Sequence, residues 1–310
     1  MKIVFFGTPE FAVASLKKIL EKGYEVAAVV TTPDRTGGRG NKIIESDVKK
    51  FAEEKNLTVL QPEKLRDPDF VNLLKSYEAD LFVVIAFRML PEMVWKIPAL
   101  GTFNLHASLL PQLRGAAPIN HAIMAGFKNT GVTTFFINSE IDKGEILMSE
   151  SISISDDDDA GTLHDKLMDM GADLVIKTIQ GIEKGTLNPV AQPQVDSFTP
   201  APKIFKADCK IDFNNPAKII SRKIRGLSPY PGAWAILQLA EGREIEVKIL
   251  QAKTDYNSLS FEPGTCLVKN KSLLVATTNG IIEILKIQPS GKKPMDAKAF
   301  MAGYTPIKFI

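Results

Sequence analysis

Short apolar runs alternate with segments of helical periodicity through the first half of the chain, and this alternation limits the fold more than any other feature. The run Lys2–Phe6 precedes a turn at residues 7–9, and apolar side chains then recur at helical spacing at Phe11, Leu16, Ile19 and Leu20. The alternation continues to a long amphipathic helix predicted over residues 162–182. Alternating strands and helices pack as a mostly parallel sheet with helices on both faces, so residues 1–188 are predicted to form one α/β domain.

A different pattern begins after residue 188. Residues 189–206 are rich in proline and glutamine, which is typical of a linker. One helical segment, Pro216–Ile224, then precedes short β runs separated by turns such as Glu241-Gly242 and Asn279-Gly280. Residues 207–310 are therefore predicted to form a small β-barrel. An OB-like barrel, a fold that often binds nucleic acid, is the expected type.

Composition excludes several classes of protein. Hydrophobic residues make up 45% of the chain and charged residues 24%, which is ordinary globular usage and argues against disorder and coiled coil. The longest apolar run, Leu81–Phe87, is far shorter than the ~18 residues of a membrane helix. The opening Met1–Phe6 is too short for a signal peptide, and Cys209 and Cys266 show no metal-site spacing. We expect a cytoplasmic protein that binds no membrane and no metal.

The charge of the chain is unevenly distributed. The net charge is +2 overall, but residues 206–310 contain 16 basic and 9 acidic side chains. A basic C-terminal part beside an acidic N-terminal part is typical of a nucleic-acid-binding appendage. The excess is modest, so on charge alone a lysine-rich solvated surface is the better interpretation.

The most chemically informative segment is Asn104-Leu105-His106, at the end of a predicted strand. Residues i and i+2 of a strand project to the same face, so the amide of Asn104 and the imidazole of His106 point together. Ligands of parallel α/β sheets collect at the carboxyl ends of strands, where such a pair can face a developing oxyanion. A capping asparagine and a structural histidine would be the better interpretation if these two residues stood alone.

Two nearby segments support the chemical interpretation. Residues 108–118 form an apolar loop broken by proline and glycine, which can present backbone N–H and C=O groups to a planar heterocycle. Asp142 lies in a turn between two predicted strands, where it could orient His106 or hold a water beside it. A simple turn-forming role for Asp142 is the alternative.

Together these motifs resemble those of the 10-formyltetrahydrofolate-dependent formyltransferases. The motifs are Asn104-x-His106, Ser108–Pro111, Arg114–Pro118 and Asp142-x-Gly144. Further similar segments are Phe6–Ala12, Pro33–Gly40, Lys203–Phe213 and Ile287–Met295, so the resemblance covers nearly the whole chain.

The resemblance implies a fold and a reaction. It implies a Rossmann-like formyltransferase domain followed by the OB-like domain, with 10-formyltetrahydrofolate as the formyl donor. The α-amino group of the methionine on charged initiator tRNA would attack the formyl carbon, without a metal and without a covalent enzyme intermediate. Asn104 and His106 would stabilise the oxyanion. Asp142 would set the protonation of His106 and help to move a proton from the amine to the leaving nitrogen of the folate.

The same resemblance implies the residues that bind the folate. The folate would lie along the segment Ser108, Leu109, Leu110 and Pro111. The pterin would be enclosed by Phe87, Met89 and Leu90. In this chain the segment that encloses the pterin is shorter than the usual family pattern and carries Arg88.

Basic residues are implied as the contacts to tRNA. Arg39 and Lys206 match basic motifs of the family, and the further candidates are Lys42 of the same loop as Arg39 and Arg222 and Lys223 of the helix after Lys206. A mobile basic loop such as Thr32–Lys50 can become ordered through phosphate contacts. Without the resemblance, an ordinary surface loop would be the better interpretation of residues 32–50, and a solvated helix face fits residues 222 and 223 equally well.

Two alternative functions remain open from the sequence. A formyltransferase could act on a small amine, such as a ribonucleotide or an amino-sugar nucleotide, but that substrate needs neither the basic loop nor the basic C-terminal part. A non-catalytic RNA-binding protein is the other alternative, and the presence of Asn104, His106 and Asp142 argues against it. The leading prediction is a monomeric enzyme that formylates methionyl-tRNA for translation initiation.

Overall fold

The predicted alternation of strands and helices is present in the computed structural model, which describes residues 1–37, 42–194, 197–255 and 261–310. The strands of the first half are β1 (Lys2–Gly7), β2 (Glu25–Val30), β3 (Arg35–Gly37), β4 (Lys42–Ile44), β5 (Val59–Leu60), β6 (Leu81–Ile85), β7 (Thr102–His106), β8 (Asn129–Phe136) and β9 (Ile146–Ser153). The helices are α1 (Glu10–Glu21), α2 (Asp47–Glu54), α3 (Pro68–Ser76), α4 (Glu92–Trp95), α5 (Pro118–Ala125) and α6 (Ala160–Glu183).

Seven of these strands form one sheet in the order β5-β2-β1-β6-β7-β8-β9. The pairs from β5 to β7 are parallel, and β8 runs antiparallel to β7. The remaining strands, β3 and β4, form a separate antiparallel hairpin. The predicted mostly parallel, Rossmann-like sheet is therefore confirmed, with an antiparallel strand added beyond β7.

Apolar side chains on both faces bury this sheet. Val4 and Phe6 of β1 belong to a cluster that includes Leu74 of α3. Leu105 of β7 lies against α6, since a Cβ atom added to Gly171 would come within 2.8 Å of its Cδ2 atom. Because strand residues alternate between faces, the neighbours of Leu105 project to the opposite face of β7. The packing of α6 on Leu105 thereby determines which face of β7 is left for the polar pair.

The rest of the chain is mainly antiparallel β structure. Its strands are β10 (Ala233–Leu239), β11 (Glu244–Asp255), β12 (Cys266–Lys269), β13 (Ser272–Ala276), β14 (Ile281–Pro289), β15 (Met295–Asp296) and β16 (Pro306–Phe309). Its helical segments are a short 3₁₀ turn (Ala207–Cys209), α7 (Ala217–Leu227) and α8 (Ala297–Met301).

These strands curl into a nearly closed barrel. The order is β12-β13-β14-β11-β10-β16, and an antiparallel bridge between Thr265 and Lys308 joins the two ends. Register shifts between Ile249 and Ala252 in β11 mark an irregularity of the kind that bends a strand. The interior contains Phe300 and Phe309 together with apolar residues of α7. The predicted small antiparallel barrel is confirmed.

Two compact units divide the chain in a way that does not follow chain order. The first unit comprises Met1–Gly115, Asn129–Ile152 and His164–Pro200. The second comprises Ala116–Lys128, Ser153–Leu163 and Ala201–Ile310. Helix α5 belongs to the second unit because it packs against α7, where the Asn120 amide donates to the Gly226 carbonyl at 2.7 Å. The domain limits 1–188, 189–206 and 207–310 stay a prediction. None of the helices in the described ranges is long and apolar enough to cross a bilayer.

The stability of the barrel is expected to depend on Phe300, whose side chain is fully buried and stacks on Tyr304 at 4.5 Å between ring centroids. Truncation to alanine removes this contact and leaves a cavity, so Phe300→Ala should lower the free energy of unfolding by about 3–5 kcal/mol. Chemical denaturation measures the change. Phe261→Ala, at a ring that is 48% exposed, is the control and should cost much less. Equal losses in the two variants would contradict the assigned core.

Burial raises the pKa of the Cys266 thiol to about 12. The folded protein should therefore hold Cys266 as a thiol at pH 9, with a thiolate fraction roughly 500-fold below that of an ordinary cysteine. Alkylation by iodoacetamide at pH 9, followed by peptide mass analysis, should label Cys266 slowly in the native protein. In urea the labelling should reach the ordinary rate, and fast native labelling would contradict the burial of this residue.

Candidate active site

The end of β7 brings the predicted polar pair to one face of the sheet. Asn104 is half-buried, and His106, two residues further, is only 7% exposed. The strand lies in the parallel part of the sheet beside β6, so its carboxyl end is where ligands bind in such folds.

A backbone carbonyl holds the His106 ring. The Nε2 atom lies 2.9 Å from the carbonyl oxygen of Leu113. A carbonyl oxygen only accepts hydrogen bonds, so Nε2 must carry a proton and donate it. The other ring nitrogen, Nδ1, is then the atom that gains or loses a proton. Leu113 itself has a φ of 61° and is held by a hydrogen bond from its N–H to the carbonyl of Thr199 at 2.8 Å.

Asp142 faces the free nitrogen of the ring. Its Oδ2 atom lies 3.9 Å from Nδ1 of His106 and accepts a hydrogen bond from the backbone N–H of Gly115 at 2.9 Å. A separation of 3.9 Å is too long for a direct hydrogen bond but lies within ion-pair distance when the ring is protonated. The structure therefore brings together the carboxylate and the imidazole that sequence reasoning paired, and leaves Nδ1 uncommitted.

Asn104 completes the group with a free amide. Among the residues that the structure describes, its side chain has no protein hydrogen-bond partner, although it is half-buried. A partly desolvated amide without a partner can donate N–H to a substrate oxygen without first breaking another bond.

The loop after β7 is shaped by buried hydroxyl groups. The Ser108 hydroxyl donates to the carbonyl of Gln112 at 2.7 Å, and the Thr133 hydroxyl donates to the carbonyl of Ser108 at 2.7 Å. Leu110 and Pro111 are buried and Leu109 is half-buried, with a cis peptide bond between Leu110 and Pro111. The Ser108 hydroxyl is thus occupied within the loop. Its proton is therefore committed to Gln112, and the hydroxyl oxygen keeps only its capacity to accept a hydrogen bond.

The three residues predicted to enclose the pterin differ in their surroundings. Phe87 and Leu90 belong to the apolar cluster beneath α3, and Phe87 packs edge-on against Phe6. Met89 is 71% exposed, whereas Phe87 is half-buried and Leu90 is buried. Arg88 is held in place because its guanidinium donates to the carbonyls of Pro62 and Glu63.

The residues predicted to bind tRNA are not equally available. Arg39 lies outside the described residues, and only the backbone of Lys42, in β4, is described. Lys206 is 70% exposed at its side chain, where it pairs with Glu246 at 2.8 Å. Arg222 packs over Gly126. Lys223 donates to the carbonyl of Lys210 at 2.5 Å, and burial lowers its pKa.

Sequence reasoning missed the groups that support the site. The Leu113 carbonyl gives no signal in a sequence, because any residue type supplies a carbonyl. The Thr133 hydroxyl, which bonds to the loop after β7, gives no signal in the sequence either. Within the described ranges, no group of three or more histidine, cysteine or acidic side chains is arranged to hold a metal ion.

Comparison with known proteins identifies the family. Residues 1–179 match the family model described as formyl transferase, and residues 203–305 match the model described as formyl transferase, C-terminal domain. The fold and the site thus define a formyltransferase. The structure of HypX from Aquifex aeolicus in complex with tetrahydrofolic acid is similar in fold, with a TM-score of 0.65 at 18% identity, covering 98% of this chain and 47% of that chain.

Relatives of higher sequence identity show which formyltransferases this chain resembles. The methionyl-tRNA formyltransferase of Bacteroides thetaiotaomicron is 47% identical over 308 residues, which cover 98% of this chain and 96% of the relative. That of Azobacteroides pseudotrichonymphae is 48% identical over 309 residues, covering 97% and 95%. The chain belongs to the methionyl-tRNA formyltransferase family, and the family resemblance of its motifs is confirmed.

The turn that carries Asp142 should not tolerate a side chain at Gly144. A Cβ atom at this position would lie 1.5 Å from the carbonyl oxygen of Phe136. Because this oxygen belongs to the backbone of strand β8, it cannot move as a flexible side chain could. Gly144→Ala should therefore lower the free energy of unfolding by about 3 kcal/mol and reduce formyl transfer. Gly303→Ala, at a site with no heavy atom within 4 Å, is the control. Denaturant titration and initial rates measure both, and wild-type behaviour of Gly144→Ala would refute the packing.

Proposed function

We propose that this chain transfers the formyl group of 10-formyltetrahydrofolate to the α-amino group of methionine on initiator methionyl-tRNA. The observation that carries the proposal is the arrangement of Asn104, His106 and Asp142, with an unpartnered amide and a ring nitrogen left uncommitted opposite a carboxylate. Membership of the methionyl-tRNA formyltransferase family supplies the substrates. The reaction places the enzyme in the cytoplasm with translation, and we propose that it acts as a monomer.

Asn104 and His106 act on the charge that develops on the formyl oxygen. When the amine attacks the formyl carbon, a new C–N bond forms and the oxygen becomes an oxyanion. The Asn104 amide donates N–H to that oxygen, and protonated His106 donates from Nδ1. The Leu113 carbonyl retains Nε2–H throughout, so the ring does not rotate when its charge changes.

Asp142 supports the proton balance. The attacking amine loses one proton, and the folate nitrogen gains one as its bond to the formyl carbon breaks. The Asp142 carboxylate, 3.9 Å from Nδ1, stabilises the imidazolium and can pass a proton between these two nitrogens through a bridging water. Its own position depends on the Gly115 N–H, which donates to Oδ2.

The tRNA is bound through phosphate contacts that we assign to Arg39, Lys42, Lys206, Arg222 and Lys223. Support is strongest for Lys206, because its side chain is 70% exposed. Residues 1–188 would form the catalytic domain, residues 189–206 would link the two domains, and residues 207–310 would form the tRNA-binding domain. The folate would lie along residues 108–111 beside Met89.

Formylation of charged initiator tRNA tests the proposal. The protein is incubated with 10-formyltetrahydrofolate and methionyl-tRNA, and the amino acid released from the tRNA is identified by mass. Formylmethionine is expected, and parallel reactions with a ribonucleotide amine and an amino-sugar nucleotide should give no product. Formylation of a small amine in preference to the tRNA would overturn the assigned acceptor.

Substitutions at the site should reduce the single-turnover rate in proportion to the lost interaction. Asn104→Ala removes one oxyanion donor and should slow transfer by about 10²–10³. His106→Ala removes a donor that also takes part in proton transfer and should slow it by about 10²–10⁴. His164→Ala, at a partly exposed histidine paired with Asp165, is the matched control and should stay near the wild-type rate. Near-wild-type transfer by His106→Ala would exclude the mechanism.

A further inference from the structure

Gln192 lies in the segment predicted as a linker, yet its side chain bonds directly to the turn that carries Asp142. Its Nε2 atom donates to the backbone carbonyl of Asp142 at 2.8 Å and to that of Gly144 at 2.9 Å. One amide nitrogen therefore holds both ends of the three-residue turn. The residue is half-buried and forms these bonds within the unit that contains the site.

The oxygen of the same amide binds the loop that contacts the opposite nitrogen of the His106 ring. Its Oε1 atom accepts a hydrogen bond from Nη2 of Arg114 at 2.6 Å. Arg114 directly follows Leu113, whose carbonyl holds Nε2 of His106, and precedes Gly115, whose N–H holds Asp142. Gln192 thus connects the segment that fixes one nitrogen of His106 to the turn that faces the other.

The turn at Asp142 needs such support. Asp142 has a φ of 54°, in the left-handed region that side-chain-bearing residues rarely adopt. Conformations of this kind persist where surrounding bonds hold them. The carbonyl bonds from Gln192 and the bond from the Gly115 N–H are the contacts that hold this residue from outside its own turn.

We propose that Gln192 is a positioning residue for formyl transfer, which sets the Asp142 carboxylate against Nδ1 of His106 without itself touching a substrate. This inference rests on the proposed function. Loss of the amide donor would let the Asp142 turn move relative to His106. Misplacement of a proton-relay group by about 1 Å costs up to about 100-fold in rate.

An isosteric substitution tests the contribution of the N–H donor of Gln192 by itself. In Gln192→Glu the side chain keeps its shape and its acceptor for Arg114, but a carboxylate replaces the N–H group with an oxygen that repels the two carbonyls. Gln194→Glu is the matched control, since it makes the same chemical change at an exposed residue two positions along the chain. We expect kcat to fall 10- to 100-fold in Gln192→Glu, with both KM values within about twofold of wild type. The control should keep wild-type values.

A double-mutant cycle with Asp142→Asn separates positioning from a merely structural role. If Gln192 acts through Asp142, Gln192→Glu should reduce kcat by less than about threefold in the Asp142→Asn background. An equal reduction in both backgrounds, or a wild-type kcat for Gln192→Glu, would overturn the inference. Gln192→Ala repeats the cycle if the glutamate variant does not fold, and failure of both to fold would show a structural role instead. Lack of transfer by the wild-type protein would count against the proposed function alone.

Discussion

The hydrogen bond from Nε2 of His106 to the carbonyl of Leu113 is the interaction on which the chemistry of this site depends. It fixes which ring nitrogen is permanently protonated and directs the other towards Asp142. The bond needs Leu113 at a φ of 61°, and this conformation is held in turn by the Thr199 carbonyl. A backbone oxygen is a constant acceptor, because it does not titrate and does not change its partner during the reaction. The ring is therefore free to change charge without changing direction.

Residues with unusual backbone conformations surround this bond. Leu113 and Asp142, on the two sides of His106, both have positive φ. Each such residue costs about 1–3 kcal/mol, so the surrounding bonds must hold it. Gln192 holds the Asp142 turn and Thr199 holds Leu113, and both residues lie in the segment that sequence patterns marked only as a connector. The connector is thus part of the support of the site, in addition to joining two parts of the chain.

Much of the fold could be predicted because it follows from periodicity. The alternation of apolar runs and helical stripes predicted the parallel sheet, and short runs separated by turns predicted the barrel. The prediction that a strand ends at His106 is confirmed by β7. The hairpin of β3 and β4, the helix α8 and the closing strand β16 were missed, since these short segments show no clear hydrophobic pattern of their own. The assignment of α5 to the barrel unit was also missed, because it depends on packing between segments far apart in the chain.

The sequence by itself determined the residue types at the site, the placement of Asn104 and His106 on one face of a strand, and the family. These features are local. A two-residue spacing in a strand fixes the face to which both side chains project, and short motifs can be read directly from the order of residues. Only the tertiary structure decided that Asp142 lies 3.9 Å from His106, which nitrogen of the ring stays protonated, and that Gln192 binds the Asp142 turn. Those contacts join segments that are separate in sequence, and two of them use backbone carbonyls, which every residue carries, so side-chain patterns do not predict them.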